Sequence, residues 1–134
     1  MLSMNDISID GILYQRYPML MLERVIKIEN GQVCVKPKMD GFYTEKEKVF
    51  RPWMILESMG QTAELMWRIK GVKGKGYLAR IDNFVNFPLD IRMQDNFYIA
   101  AQEKNAFNKL YQSGVEFFYS DGKHASAKIT HFFY

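Results

Sequence analysis

The run PWMILESMGQTAELMWRI, residues 52 to 69, constrains this chain more than any other stretch. Trp53, Met54, Ile55, Leu56, Met59, Ala63, Leu65, Met66 and Trp67 do not fit on one stripe, so a helix made from them has to be buried on most of its circumference. Its limits are marked. Pro52 suits the first helical position, where a missing N–H costs nothing, and Gly71 suits the cap beyond the last turn. Within the run, Glu57, Gln61, Glu64 and Arg68 follow spacings of four, three and four and so line one narrow face. For Glu64 and Arg68 the simple reading is a routine surface pair on the wet side of the helix. Glu57 differs, because it lies near the helix start among the bulkiest apolar residues. There burial opposes ionisation and the positive end of the helix favours it, and a carboxyl group under such opposed influences is an acid/base candidate.

Around this helix the pattern is one of strands. Asn5 is a candidate cap for a short helix carrying Ile7, Ile9, Ile12 and Leu13, which Pro18 ends. The run from Met19 to Ile28 has strand composition, and Asn30-Gly31 predicts a hairpin into QVCVKPKM. After Gly71 come GYLARIDNFVNF, DNFYIAAQEK, NKLYQSGVEFFYS and KHASAKITHFFY, with Asn105 and Asp121-Gly122 as the turn signals among the last three. In the final run Ala125, Ala127, Ile129, His131 and Phe133 alternate onto one face, with His124, Ser126, Lys128 and Thr130 on the other. Both histidines are read as ordinary strand residues. Short helix, two strands, long helix, about four strands: this order predicts an α+β fold, a curved antiparallel sheet wrapped around one long central helix. Residues 1–134 are expected to form a single domain.

Composition narrows the function classes. A hydrophobic content of 48% with 25% charged residues excludes a disordered chain. The net charge of +3 is scattered, without a basic stripe or an RNA-binding motif, so no nucleic-acid partner is expected. The lone Cys34 has no partner for an intrachain disulfide, and no apolar run reaches membrane-spanning length; a cytoplasmic protein without membrane insertion is the expectation.

Six segments, in order and spacing, resemble the hotdog-fold 3-hydroxyacyl-acyl-carrier-protein dehydratases of fatty acid biosynthesis, from about Ile9 to the C-terminus. The family's P-H-R-[FY]-P and D-R-V segments stand here as YQRYP and LERV, with Gln15 at the histidine and Glu23 at the aspartate. Its helix signature E-A-M-A-Q stands as ESMGQ, Glu57 to Gln61. Its I-D and F-x-x-P-V-x-P-G-D segments stand as Ile81-Asp82 and FPLDIRMQD, and its late D-G-K turn as Asp121 to Lys123. The resemblance implies a dimer with two long helices side by side under a continuous sheet. It also implies active sites that pair a histidine base from one subunit with the helix acid of the other, and a backbone N–H at the helix start that holds the thioester carbonyl oxygen.

Glu57 falls on that acid and Gln61 on the glutamine after it. Two parts of the family pattern are absent. The loop histidine falls on Tyr43, or on Phe42 with the register shifted by one, and the glycine five residues before the acid falls on Pro52, which has no N–H. Tyr43, Phe42, Pro52 and Trp53 are, with Gln61, the positions expected to line the tunnel or support the site. The resemblance therefore implies a divergent dehydratase-like protein acting on 3-hydroxyacyl thioesters, atypical or non-autonomous for want of its base. Its partners are acyl carrier protein and a second hotdog subunit, as a homodimer, a heterodimer with a catalytic paralogue, or a higher oligomer. The alternatives are an acyl thioesterase using Glu57 and a non-catalytic acyl-binding protein. No cofactor is implied beyond the phosphopantetheine or coenzyme A that carries the substrate. The basic KGVKGKG segment and Arg92 are candidates to receive the acidic carrier protein, against the plainer reading of a solvated loop.

Overall fold

The computed structural model of the chain describes residues 7–13, 20–38, 49–88, 91–92, 97–120 and 123–134. The elements are α1 (Ile9–Ile12), β1 (Leu22–Glu29), β2 (Gln32–Pro37), β3 (Val49–Phe50), α2 (Pro52–Ile69), β4 (Gly76–Val85), β5 (Ile91–Arg92), β6 (Tyr98–Phe107), β7 (Leu110–Ser120) and β8 (Lys123–Phe133). Six strands form one antiparallel sheet in the order β1-β2-β6-β7-β8-β4, and the two-residue strands β3 and β5 pair separately. The sheet curves around α2, which packs on β1, β2, β6, β7 and β8. This is the wrapped-helix α+β architecture expected from the apolar helix.

α2 is closed at its C-terminal end by the residues the sequence marks. Gly71 takes φ +103°, its N–H donates to the Arg68 carbonyl at 3.0 Å, and the Val72 N–H donates to the Trp67 carbonyl at 3.0 Å. This paired arrangement satisfies carbonyls that the end of a helix otherwise leaves open. From Met54 onward most of the circumference is buried, including Ile55, Met59, Ala63, Leu65, Met66 and Trp67. Polar groups on this helix are satisfied from within: Ser58 Oγ donates to the Met54 carbonyl and Thr62 Oγ1 to the Ser58 carbonyl, both at 2.7 Å. Trp67 Nε1 donates to Ser113 Oγ of β7 at 2.9 Å.

The strands follow the alternation read from the sequence. In β8, Ala125, Ala127, Ile129, His131 and Phe133 all face the core. Phe50, fully buried in the short β3, stacks on Phe117 with centroids 5.6 Å apart and meets Phe97 edge-on at 5.9 Å. β3 and β5 do not emerge from the sequence, because two residues carry no periodicity.

Two turns separate what the sequence reads well from what it misreads. Asn30 and Gly31, at φ 50° and 76°, form the β1–β2 hairpin as expected. The β6–β7 turn is not at Asn105, which sits inside β6 beside a register shift, but at Asn108-Lys109, with φ 50° and 67°. The short helix α1 begins at Ser8, whose Oγ accepts from the Gly11 N–H at 3.2 Å, rather than at Asn5, which lies outside the described residues, as do Asp121 and Gly122.

Lys109 holds a left-handed conformation at a steric cost that glycine does not bear, so Lys109→Gly is expected to raise the unfolding free energy by about 1 kcal/mol in denaturant titrations. Phe50→Ala removes the ring at the centre of the aromatic stack and is expected to lower it by about 3 to 5 kcal/mol.

Candidate functional site

The site is built on the first half of α2. Arg51 is the N-cap residue, its side chain making no capping hydrogen bond to the helix, and Pro52 occupies the first turn. The Met54 and Ile55 N–H groups turn back onto the Arg51 carbonyl at 3.0 and 3.1 Å, so this end has no donor at Pro52 and spends two others internally. Trp53 stands 41% exposed at this open end. One turn later lies Glu57, half-buried.

What holds Glu57 is Gln61. The Gln61 Nε2 donates to Glu57 Oε1 at 2.9 Å, and the Gln61 Oε1 accepts from the Met21 N–H at 2.8 Å. Gln61 itself is 2% exposed. The Met21 amide can only donate, so it dictates which end of the carboxamide faces it and leaves the NH₂ end turned to Glu57. One carboxyl oxygen, Oε1, is thereby engaged by the carboxamide. The bond spans 40 residues of sequence, from the entry of β1 to the middle of α2.

The rest of the polar face departs from the surface reading. Glu64 is only 7% exposed, and its Oε2 lies 3.6 Å from Arg68 Nε, with both side chains largely buried. The pair is not on a wet stripe: Phe133 of β8 lies under the Arg68 guanidinium, and Gly76, the first residue of β4, borders it. The Arg68 guanidinium sits 4.7 Å from the centroid of the Phe133 ring. Burial pushes the Glu64 carboxyl above its ordinary range, against the pull of Arg68, and the charge of Glu57 adds to the rise.

Both histidines of the chain lie in β8. His124 is partly exposed and pairs with Glu116 at 3.2 Å. His131 is buried at 2% exposure, and burial together with Arg68 lowers its pKa to about 4. It rests against the end of α2, about three helical turns from Glu57, so the role of base to Glu57 is not its own. Phe42 and Tyr43, the positions at which the base is expected, and Gln15 lie outside the described residues. The basic segment is partly engaged: Lys70 Nζ pairs with Glu103 Oε2 at 2.7 Å. Grooves open on the outer face of the sheet, one over Gly114 and Ser126 and one over Cys34 and Tyr98; no described residue of α2 lines either.

The Gln61 link generates a prediction. Gln61→Leu leaves the buried Met21 N–H without an acceptor and frees Glu57 from its anchor, so the unfolding free energy is expected to fall by about 1 to 3 kcal/mol in denaturant titrations.

No protein-family model and no curated protein matches the sequence. Solved structures do match it in three dimensions. The chain is similar to a chain of the dehydratase heterocomplex ApeI:P from Xenorhabdus doucetiae, with a TM-score of 0.76 and 17% identity over 96% of this chain and 91% of that one. It is also similar to an HP0420 homologue from Helicobacter felis, with a TM-score of 0.69 and 15% identity over 93% and 88% of the two chains. A third likeness is to Cj0977, a sigma28-regulated virulence protein from Campylobacter jejuni, with a TM-score of 0.65 and 9% identity over 90% and 80%. One long helix inside a six-stranded antiparallel sheet, shared with these structures over nearly the whole chain, gives this protein the hotdog fold.

Proposed function

We propose that this chain is a dehydratase-like hotdog subunit that acts on 3-hydroxyacyl thioesters of acyl carrier protein in the cytoplasm, as the acid-bearing half of a mixed dimer. The observation that carries the reading is the anchoring of Glu57: a buried glutamine, tied to a distant backbone amide, orients a half-buried carboxyl at the open end of α2. The only histidines in the sequence are committed elsewhere, one to Glu116 and one to the core beside Arg68. A carboxyl group positioned in this way helps a 3-hydroxyl leave as water, while a base on the other chain removes the proton next to the thioester carbonyl. That one similar structure is a dehydratase heterocomplex supports pairing with a second hotdog chain.

The edge of the sheet supports the same arrangement. β4 is an edge strand on which Tyr77, Leu78, Phe84 and Val85 each stand about half exposed. Both edge strands have two register shifts, but the opposite edge, β1, carries four exposed charges, Glu23, Arg24, Lys27 and Glu29, whereas β4 carries Arg80 and Asp82 among its exposed apolar side chains. Exposed charges discourage edge pairing, whereas exposed apolar side chains invite it. β4 is the edge on which a partner chain extends the sheet.

The test uses a histidine-bearing hotdog dehydratase from the same genome whose own helix carboxylate has been replaced, so that only a site combining the partner's histidine with Glu57 can turn over. Co-expression is expected to yield the mixed dimer, with dehydration of 3-hydroxyacyl-acyl carrier protein that neither chain shows alone. Glu57→Gln is expected to cut that rate about a hundredfold or more while the mixed dimer still forms. Two homodimers in every mixture, or turnover indifferent to Glu57→Gln, rejects the reading. Release of free acid by this chain alone, abolished in Glu57→Gln, assigns thioester hydrolysis instead.

A further inference from the structure

We infer that Arg68, Glu64 and His131 form an acid-sensitive latch that fastens the first residues of β4, the open edge of the sheet, to the end of α2. Arg68 is the hub. Its guanidinium lies over the Phe133 ring, donates from Nη1 to the Val72 carbonyl at 3.4 Å, and pairs with Glu64 at 3.6 Å. A Cβ on Gly76, the first residue of β4, would stand 2.6 Å from the Phe133 ring and 3.1 Å from Arg68 Nη2, so only glycine lets ring and guanidinium close on the strand there. Gly76 is in register with Phe133, and Lys75 and Tyr134 exchange backbone hydrogen bonds of 2.9 and 3.0 Å just beyond. One cation thus ties together the helix end, the loop after it, the start of β4 and the end of β8.

His131 is placed to undo this. It packs 5.7 Å from Phe133, ring centroid to ring centroid. The charged groups set against it come from α2: Arg68 and, through Arg68, Glu64. β7 brings Tyr111 into register with it and β4 brings Leu78, while Ile129 and Phe133 flank it on its own face of β8. No carboxylate is among those in register with it. Among the described residues its Nδ1 has no hydrogen-bond partner, and neither has Arg68 Nε. A proton on His131 therefore adds a second buried cation beside Arg68 with a single anion to serve both, and a buried unpaired charge is strongly unfavourable. Opening the latch lets water solvate both.

The direction with pH follows from linkage. His131 titrates near 6.5 in water and near 4 in the closed latch, so the open form binds its proton first. The closed state is fully favoured above about pH 6.5 and loses ground as the pH falls towards 4. Glu64 acts in the opposite sense, because its raised pKa makes the closed form the better proton binder, and it offsets part of the effect. The His131 share alone amounts to roughly a twentyfold rise in the opening equilibrium at pH 5 relative to neutral pH. Control of pairing by this latch rests on the reading of β4 as the assembly edge; the latch does not.

Amide hydrogen exchange on the full chain, corrected for intrinsic rates and followed from pH 7.5 to 4.5, tests the inference. Residues 76–78 and 131–134 are expected to lose protection below pH 6.5 while the first turns of α2 keep theirs, and His131→Phe is expected to abolish most of that loss. Runs at two widely separated protein concentrations tell opening within one chain, which dilution does not change, from dissociation of a β4-paired assembly, which it promotes. A folded His131→Phe protein with the wild-type pH dependence overturns the latch. If that variant does not fold, proton titration of the wild-type ring decides: a His131 ring that titrates near 6.5 with edge protection unchanged overturns it, and one that takes up its proton only as the edge opens upholds it.

Discussion

An 18-residue helix with apolar side chains around most of its circumference has no stable place at a surface, and the enclosure of α2 is the constraint from which the other features descend. Each large side chain it buries contributes about 1.5 to 3 kcal/mol relative to exposure, so the sheet gains most by curving until its strands reach as far around the helix as they can. That curvature brings β1 at one end of the sheet and β8 near the other onto the same helix. It also excludes water from the polar residues that α2 carries, which must then be satisfied by protein atoms. Ser58 and Thr62 bond back to the helix, Trp67 reaches Ser113, and Gln61 reaches Met21.

The two ends of the helix answer this demand differently. At the C-terminal end the closing turn at Gly71 and the stack of Arg68 on Phe133 seal the structure. The N-terminal end keeps Trp53 exposed and Glu57 half-buried. A carboxyl group keeps one orientation when it stands on a rigid element and is supported by further hydrogen bonds. Gln61 supplies the support, and it does so because it is buried; a solvated glutamine at the same position has no fixed acceptor to hold it.

Local features account for most of what the sequence discloses. Proline and glycine mark the limits of α2, alternation marks β8, and Asn30-Gly31 marks one hairpin, because each depends on residues within a turn or a strand of one another. Asn108-Lys109 escapes for the same reason. Lysine at φ 67° runs against its intrinsic preference, and only the pairing of β6 with β7 on either side imposes it. Glu64 and Arg68 mislead in a related way: their i, i+4 spacing is that of an exposed pair, and nothing nearby in sequence announces that both are buried and that Phe133 of β8 meets Arg68.

The amino-acid order determined that a central helix would need a wrapping sheet, where that helix begins and ends, and that Glu57 is the carboxyl group near its start with Gln61 one turn behind. These follow from periodicity and from the stereochemistry of single residues. The tertiary structure alone decided that Gln61 is locked between Glu57 and the Met21 amide, that Glu64 and Arg68 are enclosed, and that His131 stands next to a buried cation. Each of these depends on groups from distant parts of the chain meeting in a space without water, and only the closure of the sheet around α2 brings them together.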